Sequence, residues 1–298
     1  MYDIVDLEAQ YEPTTLSGAQ VGFPGGFSVL MAVYYNDDPR LFEMAVDSVF
    51  SNTLQPTHFL LVADGPLSVG LEKILKELQQ RYNNRVELLR LPVNVGLANA
   101  LNLGLAHIKQ LWIVRADADD YNLPYRFAAL AGLLAAQPQL ELMSSAILEV
   151  DSTGKPISIR AVPVTEKEIR LFVKLRSPFN HAAVAYRRDA VLACGGYPNI
   201  YLKEDYALWC HMLARNKRVA NTAEVLVKVN AGYDMYRRRG GLRYARAEWD
   251  LQKVMISCGL KSRPRAFLDG LFRAAGFLVP AGLRGKVYEV FLRKTTVL

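Results

Sequence analysis

Four short apolar runs, each followed by a polar loop and a stretch of helical periodicity, restrict the first half of this chain to an α/β fold. Phe27 to Val33 and His58 to Ala63 are apolar enough to lie inside a sheet; Val86 to Leu91 reads as a third strand and Leu111 to Ala116 as a fourth. Between them, Leu41, Met44, Ala45, Ser48 and Val49 mark one face of a helix ending near Ser51. Leu71, Ile74, Leu75 and Leu78 mark a second helix, and Leu97, Leu101, Leu105 and Ile108 a third between Gly96 and Lys109. Asp38 before Pro39 is a good helix start, because Asp can cap free amides and Pro suits the first helical position. This alternation predicts a mostly parallel sheet with helices on both faces.

The pattern divides the chain into an arm over 1–26, a main domain over 27–235 and a helical, basic extension over 236–298. Within the domain, 27–123 carries the strand-helix alternation. The half from 124 to 235 is less regular. A helix is expected from near Pro124 to Leu134, a strand over Leu140 to Val150, a turn at Asp151 to Lys155 and a short helix over Glu166 to Leu175. Asn180 to Tyr186 reads as a strand, Gly195 to Pro198 as a turn, Tyr206 to Ala214 as a helix and Val225 to Val229 as a late strand. Near the end, Phe267, Leu271, Phe272, Phe277, Leu283, Tyr288 and Phe291 are interspersed with Arg273, Arg284, Lys286, Arg293 and Lys294. Such a tail either lies in an anionic membrane interface or packs on the domain or a partner chain.

With 51% hydrophobic and 22% charged residues among 298, the chain can bury a full core, which excludes a disordered chain. The net charge of +7 fits phosphate-bearing substrates, nucleic acid or an anionic membrane surface, without choosing among them. Cys194, Cys210 and Cys258 are odd in number and lack metal-site spacing, which argues against a disulfide framework or a zinc site. No basic stretch followed by an apolar core opens the sequence, and no apolar run approaches the roughly 20 residues of a spanning helix. The expected location is cytoplasmic, or peripheral on the cytoplasmic face of a membrane.

The chemistry concentrates where the fourth apolar run ends in Asp117, Asp119 and Asp120. Acidic groups at the C-terminal end of a strand sit where open α/β sheets bind ligands. Crowded carboxylates repel unless something positive neutralises them, and Mg²⁺ or Mn²⁺ shared with substrate phosphates is the economical candidate. An acidic turn capping the following helix is the plain alternative. Asp64 follows the second strand and would reach the same edge, where a carboxylate can accept the ring N–H of a pyrimidine; Asp-Gly-Pro is equally an adequate turn. Asn94 and Gly96 precede a helix N-terminus, whose free amides suit phosphate. Glu204 and Asp205 open an aromatic-rich helix and could supply a general base, with Trp209 as an apolar wall for a sugar face; the alternative is an acidic helix start with Trp209 in the core. His181 could contact an acceptor, although a lone His is more often structural. The Arg237 to Arg239 run could close over a diphosphate or simply be solvated.

In order, Ser28 to Tyr34, Val62 to Gly65, Asn94 to Asn102, Asp117 to Arg126, Gly195-Gly196-Tyr197 and Glu204 to Trp209 resemble the motifs of family 2 glycosyltransferases with the GT-A fold, over about Phe27 to Val229. Each motif is weak alone; the specificity lies in the ordered set. The resemblance implies a nucleotide-sugar donor, a UDP-sugar favoured, a glycan or lipid-linked acceptor, a divalent metal (Mn²⁺ or Mg²⁺) and inversion at the anomeric carbon, with no nucleic-acid partner. It implies that Asp64 binds the base, that Asp117 and Asp119 hold ribose and metal, and that Asp205 is the catalytic base beside Glu204. Tyr34, Asn94, Gly96, Asn102, Arg115 and Arg238 are then expected on the donor side, and His181 and Trp209 on the acceptor side. A Gln-x-x-Arg-Trp motif and multiple spanning helices are absent, which favours single sugar addition over polymer synthesis. Strand-end carboxylates also serve phosphatases and nucleotidyltransferases. The first strand here, however, ends in Tyr34-Tyr35-Asn36, with neither the Asp-x-Asp of a haloacid-type phosphatase nor a Gly-rich phosphate loop. A non-catalytic, membrane-associated binding protein is the remaining alternative, and the full set of acidic motifs counts against it.

Overall fold

The computed structural model describes residues 22–83, 85–231 and 240–278. Strands β1 (Phe27–Val33), β2 (His58–Ala63), β3 (Val86–Arg90) and β4 (Trp112–Asp117) alternate with helices α1 (Pro39–Phe50), α2 (Val69–Arg81) and α3 (Leu97–His107). The strands pair in parallel in the order β3-β2-β1-β4. Their side chains alternate between two cores: Leu30, Leu60, Val62 and Ile113 enter one, and Val29, Met31, Phe59, Leu61 and Val114 the other. Burial on both faces is why these strands read as continuous apolar runs rather than alternating ones. Asp38 caps α1, accepting from the amides of Arg40 at 2.8 Å and Leu41 at 3.3 Å, with Pro39 in the first turn.

Two helix faces differ from the sequence expectation. α1 buries Phe42, Ala45, Val46, Ser48 and Val49, while Met44 is exposed and Leu41 only half-buried. The neighbouring stripe that includes Phe42 and Val46 supplies more bulk to the core. In α3 the exposed Leu97 gives way to Ala98, Ala100 and Gly104, so that small residues face the sheet beside Leu101 and Leu105.

The second half extends the same sheet. A short β5 (Tyr121–Asn122) and α4 (Arg126–Ala136) lead to β6 (Leu142–Val150), β7 (Pro156–Arg160) and α5 (Glu166–Phe172). Next come β8 (Ala185–Arg187), α6 (Arg188–Ala193), α7 (Glu204–Ala214) and β9 (Val219–Asn230). The full order is β3-β2-β1-β4-β8-β6-β9-β5, with β7 on β6. β8 is antiparallel to both β4 and β6, β6 and β9 are parallel, and β5 is antiparallel to β9. The parallel ladders are the long ones, so the expected α/β architecture with a mostly parallel, helix-flanked sheet holds.

Asn180 to Tyr186 is not a continuous strand. A 3-10 turn occupies His181–Ala183 before the three-residue β8. The reason is local: the Asn180 side chain donates to the Ser145 and Arg160 carbonyls, and its amide N–H donates to Ser144 Oγ, so side chains replace a ladder there. Two further helices, α8 (Gly241–Ser257) and α9 (Arg263–Leu278), form a hairpin. α8 lies against α7, with Leu251 and Met255 in the same core as Trp209. Among the described residues, no helix is long and apolar enough to cross a membrane.

Candidate active site

Parallel register sets the site. Val33 pairs with Ala63 and Ala32 with Asp117, so Tyr34, Asp64 and Asp117 leave the sheet at one edge. Strand order reverses between β1 and β4, the kind of switch point at which open α/β sheets bind ligands. Asp64 is buried there, and its carboxylate accepts from the amides of Val95 at 2.7 Å and Gly96 at 3.0 Å and from Asn94 Nδ2 at 3.1 Å. One acidic side chain thus folds the 94–96 loop over the end of β2. Gly65 permits this approach: its φ is +88°, and a Cβ there would meet the Asn94 nitrogen at 2.7 Å.

Asp117 and Asp119 are half-buried, and Asp120 is buried. Asp120 does not cap the next helix, because α4 begins only at Arg126; it accepts instead from the Asn230 amide on β9 at 3.1 Å. Burial and the neighbouring Asp117 and Asp119 carboxylates push its pKa well above the usual carboxylate range. Facing these acids, Arg115 is buried and ion-paired with Asp117. Burial opposes its charge, but Asp117 more than offsets that and raises its pKa further. Its Nε has no hydrogen-bond partner among the described residues.

Beneath it lies a residue that sequence reasoning missed. Arg126 is fully buried and donates from Nη2 to the Arg115 carbonyl at 2.8 Å and from Nη1 to Asn122 Oδ1. Burial and repulsion from Arg115 lower its pKa to about 9. The available signal was position: Arg126 shares the apolar face of α4 with Phe127, Leu130 and Leu134.

The other acids arrive on α7. Glu204 and Asp205 occupy its first turn, Glu204 buried and Asp205 half-buried. Burial, reinforced by Asp205, raises Glu204 to about 7, while the charge of Arg115 pulls the other way. That same charge acts on Tyr197 and, together with burial, holds His181 well below the usual imidazole range. The charge of Arg115 is thus felt at Asp117, at His181 and at the start of α7. His181 Nε2 lies 3.1 Å from Tyr197 Oη, which in turn donates to Tyr186 Oη at 3.2 Å.

Two expected contacts fall elsewhere. Trp209 is fully buried, edge-on to Phe179, His181 and Tyr197 at 5.5 to 6.4 Å, so it has no free face for a sugar and belongs to the core. Asn102 spends both ends of its amide on the backbone of Tyr197, donating to its carbonyl and accepting from its N–H at 2.8 Å each. It fixes the Gly195-Gly196 turn; a Cβ at Gly196, where φ is +72°, would sit 2.4 Å from Asn102 Oδ1. Arg238 lies outside the described residues.

A buried polar chain ties α7 to the hairpin. Lys203, immediately before Glu204, pairs with Glu248 of α8 at 2.7 Å and lies 4.4 Å from the centre of the Tyr244 ring. Gln252 donates to Glu248 at 2.7 Å, and Lys261 reaches both Gln252 and Asp269 of α9.

Residues 28–196 match the model of glycosyl transferase family 2. The chain belongs to glycosyl transferase family 2. An uncharacterized glycosyltransferase of Haemophilus influenzae is 36% identical over 90% of this chain and 99% of its own length. The amylovoran biosynthesis glycosyltransferase AmsE of Erwinia amylovora is 33% identical, covering 88% and 98% of the two chains. An Escherichia coli UDP-Gal:alpha-D-GlcNAc-diphosphoundecaprenol beta-1,3-galactosyltransferase is also 33% identical, covering 90% and 97%. Of solved structures, S. aureus TarS 1-349 in complex with UDP-GlcNAc shares the fold at a TM-score of 0.62 and 14% identity, covering 89% of this chain and 76% of its own. The mannosyltransferase PcManGT from Pyrobaculum calidifontis, in complex with GDP-Man and Mn²⁺, aligns at 0.54 and 15%, covering 89% and 87%. The chain is thus a GT-A glycosyltransferase whose relatives include enzymes of polysaccharide and lipid-linked sugar synthesis.

The residues present fit a hard cation. Asp117 and Asp119, both half-buried, carry carboxylate oxygens at and just beyond the end of β4. Two carboxylates leave the remaining positions to phosphate oxygens and water, the arrangement Mg²⁺ and Mn²⁺ favour.

Proposed function

We propose that this family 2 enzyme is a metal-dependent, inverting glycosyltransferase that moves a sugar from a nucleoside-diphosphate donor, a UDP-sugar favoured, to a hydroxyl of a glycan or lipid-linked acceptor. The observation that carries this reading is the reach of Arg115. It touches Asp117 at the strand edge, and its charge acts on Glu204 in α7, which supports a reading in which acids far apart in sequence act together. Residues 27–123 form the donor half, 124–235 the acceptor half and 236–298 an extension. The cytoplasmic face of a membrane, where a lipid-linked acceptor would be met, is the proposed place of action.

In this reading Asp64, with Asn94 and Gly96, receives the nucleobase, and Tyr34 flanks it on the end of β1. Asp117 and Asp119 would hold the cation, which when bound would supply positive charge to stabilise the diphosphate leaving group. Arg115 fixes Asp117 and contributes a buried cation that needs no reorganisation as negative charge develops. Asp205 accepts the proton of the attacking acceptor hydroxyl, with His181 close to the acceptor. Glu204, largely protonated below pH 7, keeps a second full charge away from Asp205. The test is Asp205→Asn. Donor affinity should be retained while turnover falls by about 10²-fold or more, the scale of a lost general base. Normal turnover in that variant, with loss in Glu204→Gln instead, would move the base by one residue.

A further inference from the structure

The C-terminal hairpin leaves one side of α9 uncovered. Ala266, Gly270 and Ala274 face α8 at four-residue spacing, and a Cβ at Gly270 would meet the Trp249 ring at 2.8 Å. The other side carries Phe267, Leu268, Leu271 and Phe272, exposed by 59%, 61%, 52% and 84%. Large apolar side chains grouped this way mark an interaction site on a soluble surface. Arg273, next to Phe272, donates to the Leu175 carbonyl and so brings the end of α5 beside α9. Leu171 and Leu175 add exposures of 61% and 52% there.

The charges around this face are mostly of one sign. Lys174, Arg176 and Arg263 are exposed, Asp269, the carboxylate within α9, is occupied by Lys261 and Arg265, and Glu168 at the start of α5 is the exposed acid nearby in sequence, so cations are in excess. A symmetric contact with a second copy would set these cations against themselves. An anionic bilayer surface complements both the charge and the apolar side chains.

We propose that α9 and the end of α5 form a docking face for an anionic membrane surface. The face is linked to α7 through the residues either side of Glu204 and Asp205. Tyr206, which follows Asp205, donates from Oη to the Val173 carbonyl of the α5 segment at 2.6 Å, and Phe277 of α9 lies 5.3 Å from Lys203 Nζ. Docking therefore sets the start of α7 at a fixed relation to the bilayer. Its use, presenting a lipid-linked acceptor to Asp205, rests on the proposed function; the docking does not.

The test is co-sedimentation of the full chain with vesicles of equal parts phosphatidylglycerol and phosphatidylcholine, and with phosphatidylcholine alone. Binding should require the anionic lipid and weaken as salt is raised. Leu268→Ser/Phe272→Ser should lower the partition coefficient by about tenfold or more, from the lost insertion of two large apolar side chains. Lys174→Glu/Arg176→Glu, a purely surface change, should also weaken it. Release of nucleoside diphosphate from a soluble donor should be unchanged in both variants, which separates failure of docking from failure of the transferase reading. Salt-insensitive binding, binding unaltered in both variants, or absence of binding by the wild-type chain would each overturn the proposal. So would a wild-type dimer that the serine variant splits, since a second copy would then cover the face.

Discussion

Replacing Lys203 by Met tests whether the hairpin is bound into the catalytic core through a buried ion pair. Lys203 Nζ lies 2.7 Å from Glu248 Oε2, with both side chains out of solvent and the cation against the Tyr244 and Phe277 rings. Burial would raise the Glu248 pKa, but the charge and hydrogen bond of Lys203, with Arg273 and Gln252, together outweigh it and leave the carboxyl below its usual value. Lys203→Met removes that partner while keeping most of the side-chain volume. Gln252 still donates to Glu248, but Arg273, at 3.9 Å, is too distant to replace a contact of 2.7 Å. Stranding a buried carboxylate costs about 3–5 kcal/mol, whereas removing both charges at once is often close to neutral. Urea unfolding of the wild type, Lys203→Met, Glu248→Met and the double variant measures the difference. The single changes should each lower stability by that amount, and the double variant should recover most of it. A loss below about 1 kcal/mol in Lys203→Met, the scale of an exposed pair, would refute a buried clamp.

Two further expectations concern Glu204 and Trp209. Glu204 titrates near 7 in the folded chain, above its ordinary 4.5. A raised carboxyl pKa means that the folded state holds its proton longer than the unfolded one. Its stabilising contribution is therefore present below the unfolded value and is lost as pH rises through about 4.5 to 7. Glu204→Gln should remove that decline, leaving the variant more stable than wild type at pH 8 by on the order of 3 kcal/mol in thermal or urea unfolding; parallel pH–stability curves would contradict it. Trp209→Phe should cost on the order of 1–3 kcal/mol of stability through loose packing while leaving acceptor KM unchanged; a raised KM at full stability would return Trp209 to the acceptor side.

The first half of the sheet was legible because its signals are local. β1, β2 and β4 are buried on both faces, so their composition alone marks them, and Asp38-Pro39 states where α1 starts. The second half is held by long-range pairing that no window of sequence displays. β8 is three residues long and exists because β4 and β6 lie on either side of it, and Asn180 breaks the expected strand with side-chain bonds to two distant carbonyls. The site divides in the same way. Strand-end positions of Asp64 and Asp117 followed from periodicity, whereas the duties of Asn102 and Trp209 depend on partners brought by the fold. Arg126 and the Lys203–Glu248 pair are polar groups inside apolar faces, which periodicity reads as interruptions rather than as buried partners.

Metal-dependent transfer from a nucleotide sugar is the activity proposed for the acids at the end of β4 and the start of α7. It is tested by nucleoside diphosphate release from a panel of nucleotide sugars, with and without EDTA, in the wild type and in Asp119→Ala. Release in the wild type that EDTA abolishes, that Mn²⁺ or Mg²⁺ restores and that a folded Asp119→Ala lacks is the predicted result. Full release from Asp119→Ala, or release indifferent to EDTA, would contradict it.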